Sequence, residues 1–301
     1  MHTFAHLHSA SIDSCDFAKS NAQVRAALSV GKPMNFEETV AALADLQLSN
    51  GHLVEIERDI AYGSHARQKF DWFQPSDIGE VPANTVLLFV HGGGFVRGNK
   101  IEPGTPFYDN IGIWAATHGM CAATMNYSLA PDHPWPAGGE DVLSAIAALS
   151  AHAQRVIGRA PRIFLMGHSA GAVHVATAMT LQPAPSEITA CILASGFYDN
   201  TVEAPNAAYF GVDPEKFERQ SSLAGLSNSD MPLFLIVGEN DFSSLQRDAV
   251  AVMSGRIHAN KPLPQFLVVD GSNHFSPVLL LNSEVDTVGP RLLEFIGRFA
   301  S

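Results

Sequence analysis

The sequence predicts an α/β protein in which a mostly parallel central sheet is covered by helices on both faces. Beyond Pro82, short and wholly apolar runs alternate with longer amphipathic stretches. Strands that crossover helices bury on both faces have this pattern. The chain has 301 residues, of which 46% are hydrophobic and only 16% are charged. It can therefore bury one large core.

Six apolar runs have the length and composition of buried strands. In chain order they are residues 86–90, 121–125, 163–166, 188–194, 233–237 and 266–269. Apolar residues at helical spacing separate most of these runs and follow the last one, at residues 137–156, 172–181, 245–258 and 285–299. Before them, residues 53–62 and 68–73 alternate apolar and polar side chains on either side of a Gly63-Ser64 turn, which predicts an antiparallel hairpin.

Two segments lie outside this regular pattern. Residues 1–50 are expected to form a helical cap segment, with helices at 22–29 and 36–48, and residues 51–301 are expected to form the main domain. Residues 199–222 are less regular and contain Pro205 and Pro214. They are expected to be either an inserted lid or an ordinary long connection with one helix.

Charge and cysteine content limit the classes of partner. The 18 Lys and Arg residues against 30 Asp and Glu residues give a formal net charge of -12, which leaves no evident basic face for nucleic acid or an anionic membrane. Cys15, Cys121 and Cys191 are far apart and predict neither a disulfide framework nor a metal site. The start lacks the pattern of a signal peptide, and no apolar run is long enough to insert into a membrane. We expect a cytoplasmic protein.

The string Gly167-His168-Ser169-Ala170-Gly171 places Ser169 between a predicted strand and a predicted helix. Glycines on both sides allow the sharp turn that presents a nucleophilic serine at the carboxyl edge of a sheet. The helix that follows starts at this point, and a helix N-terminus favours developing negative charge. Ser169 is therefore the predicted nucleophile.

The string His91-Gly92-Gly93-Gly94 follows the predicted strand 86–90. Glycine amides are not obstructed by side chains, so those of Gly93 and Gly94, with the amide of Ala170, are predicted to form an oxyanion hole. His91 is interpreted as a brace for this loop rather than as a proton-transfer group.

A serine hydroxyl needs a base, and His274 is the histidine that follows a predicted strand after Ser169. The acid that orients His274 should also end a strand. Asp241 does so, in the string Gly238-Glu239-Asn240-Asp241, whereas Glu239 and Asp199 stay open as competing acids. This proton relay requires no metal and no organic cofactor.

The order Ser169, Asp241, His274 is that of the α/β-hydrolase fold. Four strings make residues 53–299 resemble the hormone-sensitive-lipase-like carboxylesterases: HGGGF at 91–95, YSLAP at 127–131, HPWPA at 133–137 and GHSAG at 167–171. His168 stands where that family often has Asp. The resemblance implies a carboxylesterase, and it implies that subunits can pair along the last strand.

A second resemblance comes from YGSHARQ at 62–68, DWFQP at 71–75 and GEND at 238–241. These strings are similar to those of bacterial arylformamidases (kynurenine formamidases), which implies cleavage of a formamide or another amide as the alternative reaction. A non-catalytic small-molecule receptor on the same fold is the alternative of another class. The substrate pocket is expected to be lined by Phe95, Trp135, His168, Phe197, Tyr198 and Phe210, although each of them fits a core or packing position equally well. As a pocket lining, this mostly apolar set suggests a substrate with a small, uncharged acyl or aryl group.

Overall fold

The computed structural model describes residues 22–26, 28, 35–76, 84–181, 183–201 and 206–299. The strands in this part of the chain are β1 (Val54–Ala61), β2 (Lys69–Pro75), β3 (Thr85–Val90), β4 (Cys121–Met125), β5 (Arg162–His168), β6 (Ile188–Ala194), β7 (Leu233–Asn240) and β8 (Gln265–Asn273). They form one sheet in the order β1-β2-β4-β3-β5-β6-β7-β8. β1 and β2 are antiparallel, and β3 to β8 are mutually parallel. The predicted hairpin and mostly parallel sheet are confirmed.

Helices cover both faces of the sheet. They are α1 (Phe36–Ala44), α2 (Asp109–Thr117), α3 (Ala137–Ile157), α4 (Ala170–Leu181), α5 (Ala207–Phe210), α6 (Phe217–Gln220), α7 (Leu223–Asn228), α8 (Ser243–His258), α9 (Ser276–Leu279) and α10 (Gly289–Gly297). Strand β3 is buried on both faces, and this explains why its sequence is apolar throughout. Val86 and Leu88 pack with α3 and α4, whereas Leu87 and Phe89 pack in the opposite core with α2 and α10.

The structure differs from the predicted helices at several places. α2 was not predicted, because Gly112 interrupts its apolar pattern. A Cβ on Gly112 would lie 2.3 Å from the ring of Phe73, so glycine there lets α2 pack against β2. The predicted helix 285–299 begins only at Gly289, where Asp286 Oδ1 accepts hydrogen bonds from the backbone N–H groups of Val288 (2.9 Å) and Gly289 (2.6 Å).

Two segments border the carboxyl edge of the parallel strands. Of the expected helix 22–29, residues 22–26 and 28 are helical and the rest lies outside the described residues, as do residues 1–21 of the expected cap. Helix α1 ends at Ala44 instead of residue 48, and the Phe36 ring lies 5.2 Å from that of Phe275. Residues 199–222 contain α5, a 3-10 turn (Pro214–Lys216) and α6, and residues 202–205 lie outside the described part.

Within the described residues, no helix has the length and apolar character needed to cross a membrane.

The turn between β5 and α4 packs directly against the end of β3. A Cβ on Gly171 would lie 2.1 Å from the carbonyl oxygen of Val90, so the Gly171→Ala substitution must push the two backbones apart. We expect it to lower the free energy of unfolding by more than about 2 kcal/mol, measured by urea denaturation. Gly297→Ala is the control, because no atom lies within 4 Å of its added Cβ. That change is expected to be neutral or to stabilise by up to about 1 kcal/mol. Equal stability of the two variants would contradict the prediction.

Candidate active site

Three of the residues singled out in the sequence meet at the carboxyl edge of the sheet. Ser169 lies between β5 and α4, Asp241 follows β7, and His274 follows β8. The Ser169 hydroxyl lies 2.9 Å from His274 Nε2, and His274 Nδ1 lies 2.9 Å from Asp241 Oδ1. The three side chains therefore form one continuous hydrogen-bonded chain.

The backbone of Ser169 is in the left-handed region, with φ of 53°, which a non-glycine residue rarely adopts. Its N–H donates to the carbonyl of Ala194 at the end of β6 (2.9 Å), and its carbonyl accepts from Ala172 N (3.0 Å) at the start of α4. These bonds hold the turn so that the Ser169 hydroxyl stands at the helix N-terminus.

Asp241 is a fully buried carboxylate with several donors. Oδ1 accepts from Phe242 N (2.8 Å) as well as from His274, and Oδ2 accepts from the Ser195 hydroxyl (2.5 Å). Burial raises the pKa of Asp241, but the hydrogen bonds from His274, Ser195 and Phe242 outweigh this effect, so its pKa lies below the ordinary value. The ionised carboxylate keeps a proton on His274 Nδ1 and leaves Nε2 free to accept from Ser169.

The other two candidate acids are engaged elsewhere. Glu239 Oε2 accepts from Gly271 N (2.7 Å) and Arg25 Nη2 (2.6 Å). Asp199 Oδ1 accepts from the N–H and the hydroxyl of Thr201. Among these three carboxylates, Asp241 is the one in contact with His274.

Sequence reasoning missed Ser195. It directly follows β6, so it reaches the same edge of the sheet as the three residues above, and this position was the available signal. The backbone of Ser195 is in the left-handed region, with φ of 52°, and its hydroxyl donates to Asp241.

The glycines of the predicted oxyanion hole have backbone conformations that favour glycine, with φ of 128° for Gly93 and 59° for Gly94. A Cβ on Gly93 would lie 2.0 Å from the carbonyl oxygen of Arg97. Within the described part of the chain, the amides of Gly93, Gly94 and Ala170 donate no hydrogen bond to another group of the protein. They remain available to an oxygen atom of a bound molecule.

Two side chains support this loop, the half-buried Arg67 and the buried His91. Arg67 in the β1–β2 turn donates from Nε to the carbonyl of Tyr127 and from Nη2 to that of Gly98, at 2.8 Å each. His91 donates from Nδ1 to the carbonyl of Gly92 (2.5 Å) and stacks on the Tyr127 ring. Burial lowers the pKa of His91 to about 4, so the ring is neutral near pH 7. These contacts agree with a bracing role for His91.

Residues 91–98, the loop after β3 that carries Gly93 and Gly94, are called the oxyanion loop below. Four of the six expected pocket residues lie in one aromatic cluster beside it. The cluster contains Phe95, Trp135, Phe197 and Phe210, and also Tyr209, which the sequence analysis missed. The rings of Phe95 and Tyr209 stack with centroids 4.4 Å apart. Asn206, just before Tyr209, donates from Nδ2 to the carbonyl of Gly94 (2.8 Å). The segment 206–210 therefore packs on the oxyanion loop.

The other two expected pocket residues lie outside this cluster. Tyr198 is buried in the core that α3 and α4 cover, because neighbouring residues of an extended segment point to opposite sides and Phe197 points to the cluster. His168 is buried behind the site, and its Nε2 lies 2.8 Å from the carbonyl oxygen of His274. Both side chains take the core or packing position that the sequence left open for them.

The arrangement has the groups required for covalent catalysis at a carbonyl carbon: a hydroxyl nucleophile, a base in contact with it, an acid that orients the base and free amides beside it. Among the described residues, no three His, Cys, Asp or Glu side chains are grouped so that they could hold a metal ion.

Comparisons with known proteins agree with this fold. A family model described as the alpha/beta hydrolase fold matches residues 87–259. Probable carboxylesterase 5 of Arabidopsis thaliana is 27% identical over 230 residues, which cover 65% of this chain and 68% of that protein. Tuliposide A-converting enzyme b1 of Tulipa gesneriana is 38% identical over 84 residues, which cover 28% of this chain. That match spans only 21% of the tulip enzyme.

Solved structures extend the likeness to nearly the whole chain. Esterase B from Lactobacillus rhamnosis has a TM-score of 0.69 at 17% identity and covers 95% of each chain. An esterase from the bacterial hormone-sensitive lipase family has a TM-score of 0.66 at 22% identity, and the match covers 96% of this chain and 99% of that one. The expected α/β-hydrolase fold is confirmed, and the esterase of the hormone-sensitive lipase family is among the solved structures that share it.

Removal of the Asp241 charge is expected to disable the nucleophile. In Asp241→Asn the side chain no longer favours a proton on His274 Nδ1, so the rate at which a fluorophosphonate modifies Ser169 should fall by a factor on the order of 10⁴. Ser195→Ala removes one donor and leaves the carboxylate in place, so its loss should be nearer a factor of about 10.

The control for Ser195→Ala is Ser283→Ala, which also removes a buried hydroxyl. The Ser283 hydroxyl donates to the backbone carbonyl of Leu280, away from the site. It should label at the wild-type rate. If Ser195→Ala labelled as fast as this control, Ser195 would have no influence on Asp241.

Proposed function

Because this chain belongs to the alpha/beta hydrolase fold family, we propose that it is a serine hydrolase that cleaves carboxylic esters through an acyl-enzyme. The observation that carries the proposal is the hydrogen-bonded chain Ser169–His274–Asp241, with 2.9 Å at both contacts of His274. The names of its relatives, which include a carboxylesterase and several esterases, support the same reaction.

In the proposed first step, the Ser169 oxygen attacks the ester carbonyl carbon while His274 Nε2 takes its proton. The carbonyl oxygen gains negative charge and accepts hydrogen bonds from the amides of Gly93, Gly94 and Ala170. When the tetrahedral intermediate collapses, His274 gives the proton to the alkoxide that leaves. Ser169 then carries the acyl group.

Water completes the reaction. His274 removes a proton from water, the resulting nucleophile attacks the acyl-enzyme, and the proton returns to Ser169 Oγ as the carboxylic acid leaves. Asp241 stabilises the imidazolium that His274 becomes in both halves. Its lowered pKa keeps it ionised at the pH at which His274 must act.

The proposed substrates are esters with small, uncharged acyl or aryl groups. Phe95, Trp135, Phe197, Tyr209 and Phe210 lie together beside Ala170, and an aromatic surface contributes binding energy through burial of apolar area. An apolar group on the substrate therefore fits this surface better than a charged one.

Ser169→Ala should abolish turnover of p-nitrophenyl acetate, because the variant has no oxygen to accept the acyl group. We expect kcat to fall by a factor on the order of 10⁶. Pre-steady-state mixing should show a burst of p-nitrophenol in the wild type and no burst in the variant. Retained wild-type turnover in purified Ser169→Ala protein would refute the nucleophile assignment.

A substrate panel separates esters from amides. We expect kcat/KM to be higher for p-nitrophenyl esters of short acyl chains than for long ones, and higher for esters than for N-formylkynurenine. The amide nitrogen is a poorer leaving group and demands more of His274 as an acid. A preference for N-formylkynurenine would replace the ester assignment with arylformamidase activity. Absence of turnover across the panel, together with no labelling of Ser169 by an organophosphonate, would favour the receptor alternative.

A further inference from the structure

We propose that His168 is a positioning residue for the base His274, acting through a hydrogen bond from its Nε2–H to the backbone carbonyl of His274. The proposal rests on the serine hydrolase function proposed above. It assigns a role to the side chain that directly precedes the nucleophile.

The contact is short and buried. His168 Nε2 lies 2.8 Å from the His274 carbonyl oxygen, and the side chain is 2% exposed. A carbonyl oxygen only accepts hydrogen bonds, so the proton must be on Nε2. The bond joins the end of β5 to the loop after β8, and two strands, β6 and β7, lie between them in the sheet. It ties the base directly to the turn that holds the nucleophile.

The other side of the ring contacts the oxyanion loop. A Cβ on Gly92 would lie 3.1 Å from His168 Nδ1 and 3.1 Å from the Cβ of Ser169. Within the described residues, Nδ1 has no hydrogen-bond partner. The bond to His274 is thus the one polar contact that orients the ring there. A single side chain lies between the nucleophile turn, the oxyanion loop and the base.

The ring can serve this purpose only while it is neutral. Burial lowers the pKa of His168 to about 3, and the nearby charge of His274 acts in the same direction. A neutral ring donates to the carbonyl of His274 without placing a second positive charge beside the imidazolium that forms during turnover. The ring centroids of the two histidines are 5.1 Å apart, close enough for such a charge to matter.

Two substitutions separate hydrogen bonding from packing. His168→Phe keeps a planar ring without the donor, and His168→Gln offers an amide N–H donor at a similar reach. On the best ester of the panel, we expect His168→Phe to lower kcat by a factor of about 10 to 100 with little change in KM, because a displaced base affects the chemical step. His168→Gln should recover most of this loss.

His152→Phe is the matched control. It is another buried histidine, on α3, whose ring packs against Trp72 away from the site, and it should keep the wild-type kcat. Thermal unfolding of all three variants accounts for folding effects. The proposal is overturned if folded His168→Phe matches the control, or if His168→Gln is as slow as His168→Phe.

A measurement independent of activity tests the tautomer. Long-range ¹H–¹⁵N spectra of protein labelled with ¹⁵N-histidine, with the signals of His168 assigned by their loss in His168→Gln, should show a neutral ring protonated at Nε2 from pH 5 to pH 8. A proton on Nδ1, or titration within that range, overturns the positioning role even in an active enzyme. Absence of ester turnover with the Nε2–H tautomer present would instead refute the proposed function.

Discussion

The close approach of two backbones at Gly171 is the constraint on which the rest of the site depends. The first turn of α4 lies against the last carbonyls of β3, with Val90 and His91 directly beneath Gly171. This contact fixes the nucleophile turn and the glycine loop relative to each other before any ligand arrives. Because the amide of Ala170 lies on one of these segments and those of Gly93 and Gly94 on the other, a shift of either backbone would change the spacing among all three.

The charge of each titratable group at the site depends on burial and on how far hydrogen bonds offset the effect of burial on its pKa. Asp241 is buried but has enough donors to stay ionised, whereas His91, His168 and His174 are buried without a nearby carboxylate contact and their pKa values fall to about 4, 3 and 3. The ionised Asp241 and the neutral ring of His168 therefore lie beside His274. In the proposed mechanism, the positive charge that His274 acquires is stabilised by Asp241 and is not opposed by a charge on His168.

The sequence predicted those features that local pattern controls. Buried parallel strands are apolar on both faces, so their positions could be predicted from composition, and Ser169, Asp241 and His274 could be placed because each follows such a strand. Contacts that depend on three-dimensional packing could not be predicted. Three features depend on how loops from distant strands meet. They are the side of the chain on which Tyr198 lies, the hydrogen bond from Ser195 to Asp241, and the burial of His168 behind His274. Helix α2 was missed because Gly112 serves a contact with Phe73 that periodicity cannot reveal.

The contacts that support the oxyanion loop come partly from outside the region that the family model matches. The region that matches the family model, residues 87–259, contains Ser169 and Asp241. It contains neither Arg67, which bonds the loop from the β1–β2 hairpin, nor His274, which follows β8. The matched region thus lacks part of the proposed active site. The loop after β8 supplies the proposed base, and the antiparallel hairpin at the opposite side of the sheet supports the oxyanion loop. Truncation at the boundaries of the matched region would keep the proposed nucleophile and remove the residue proposed to activate it.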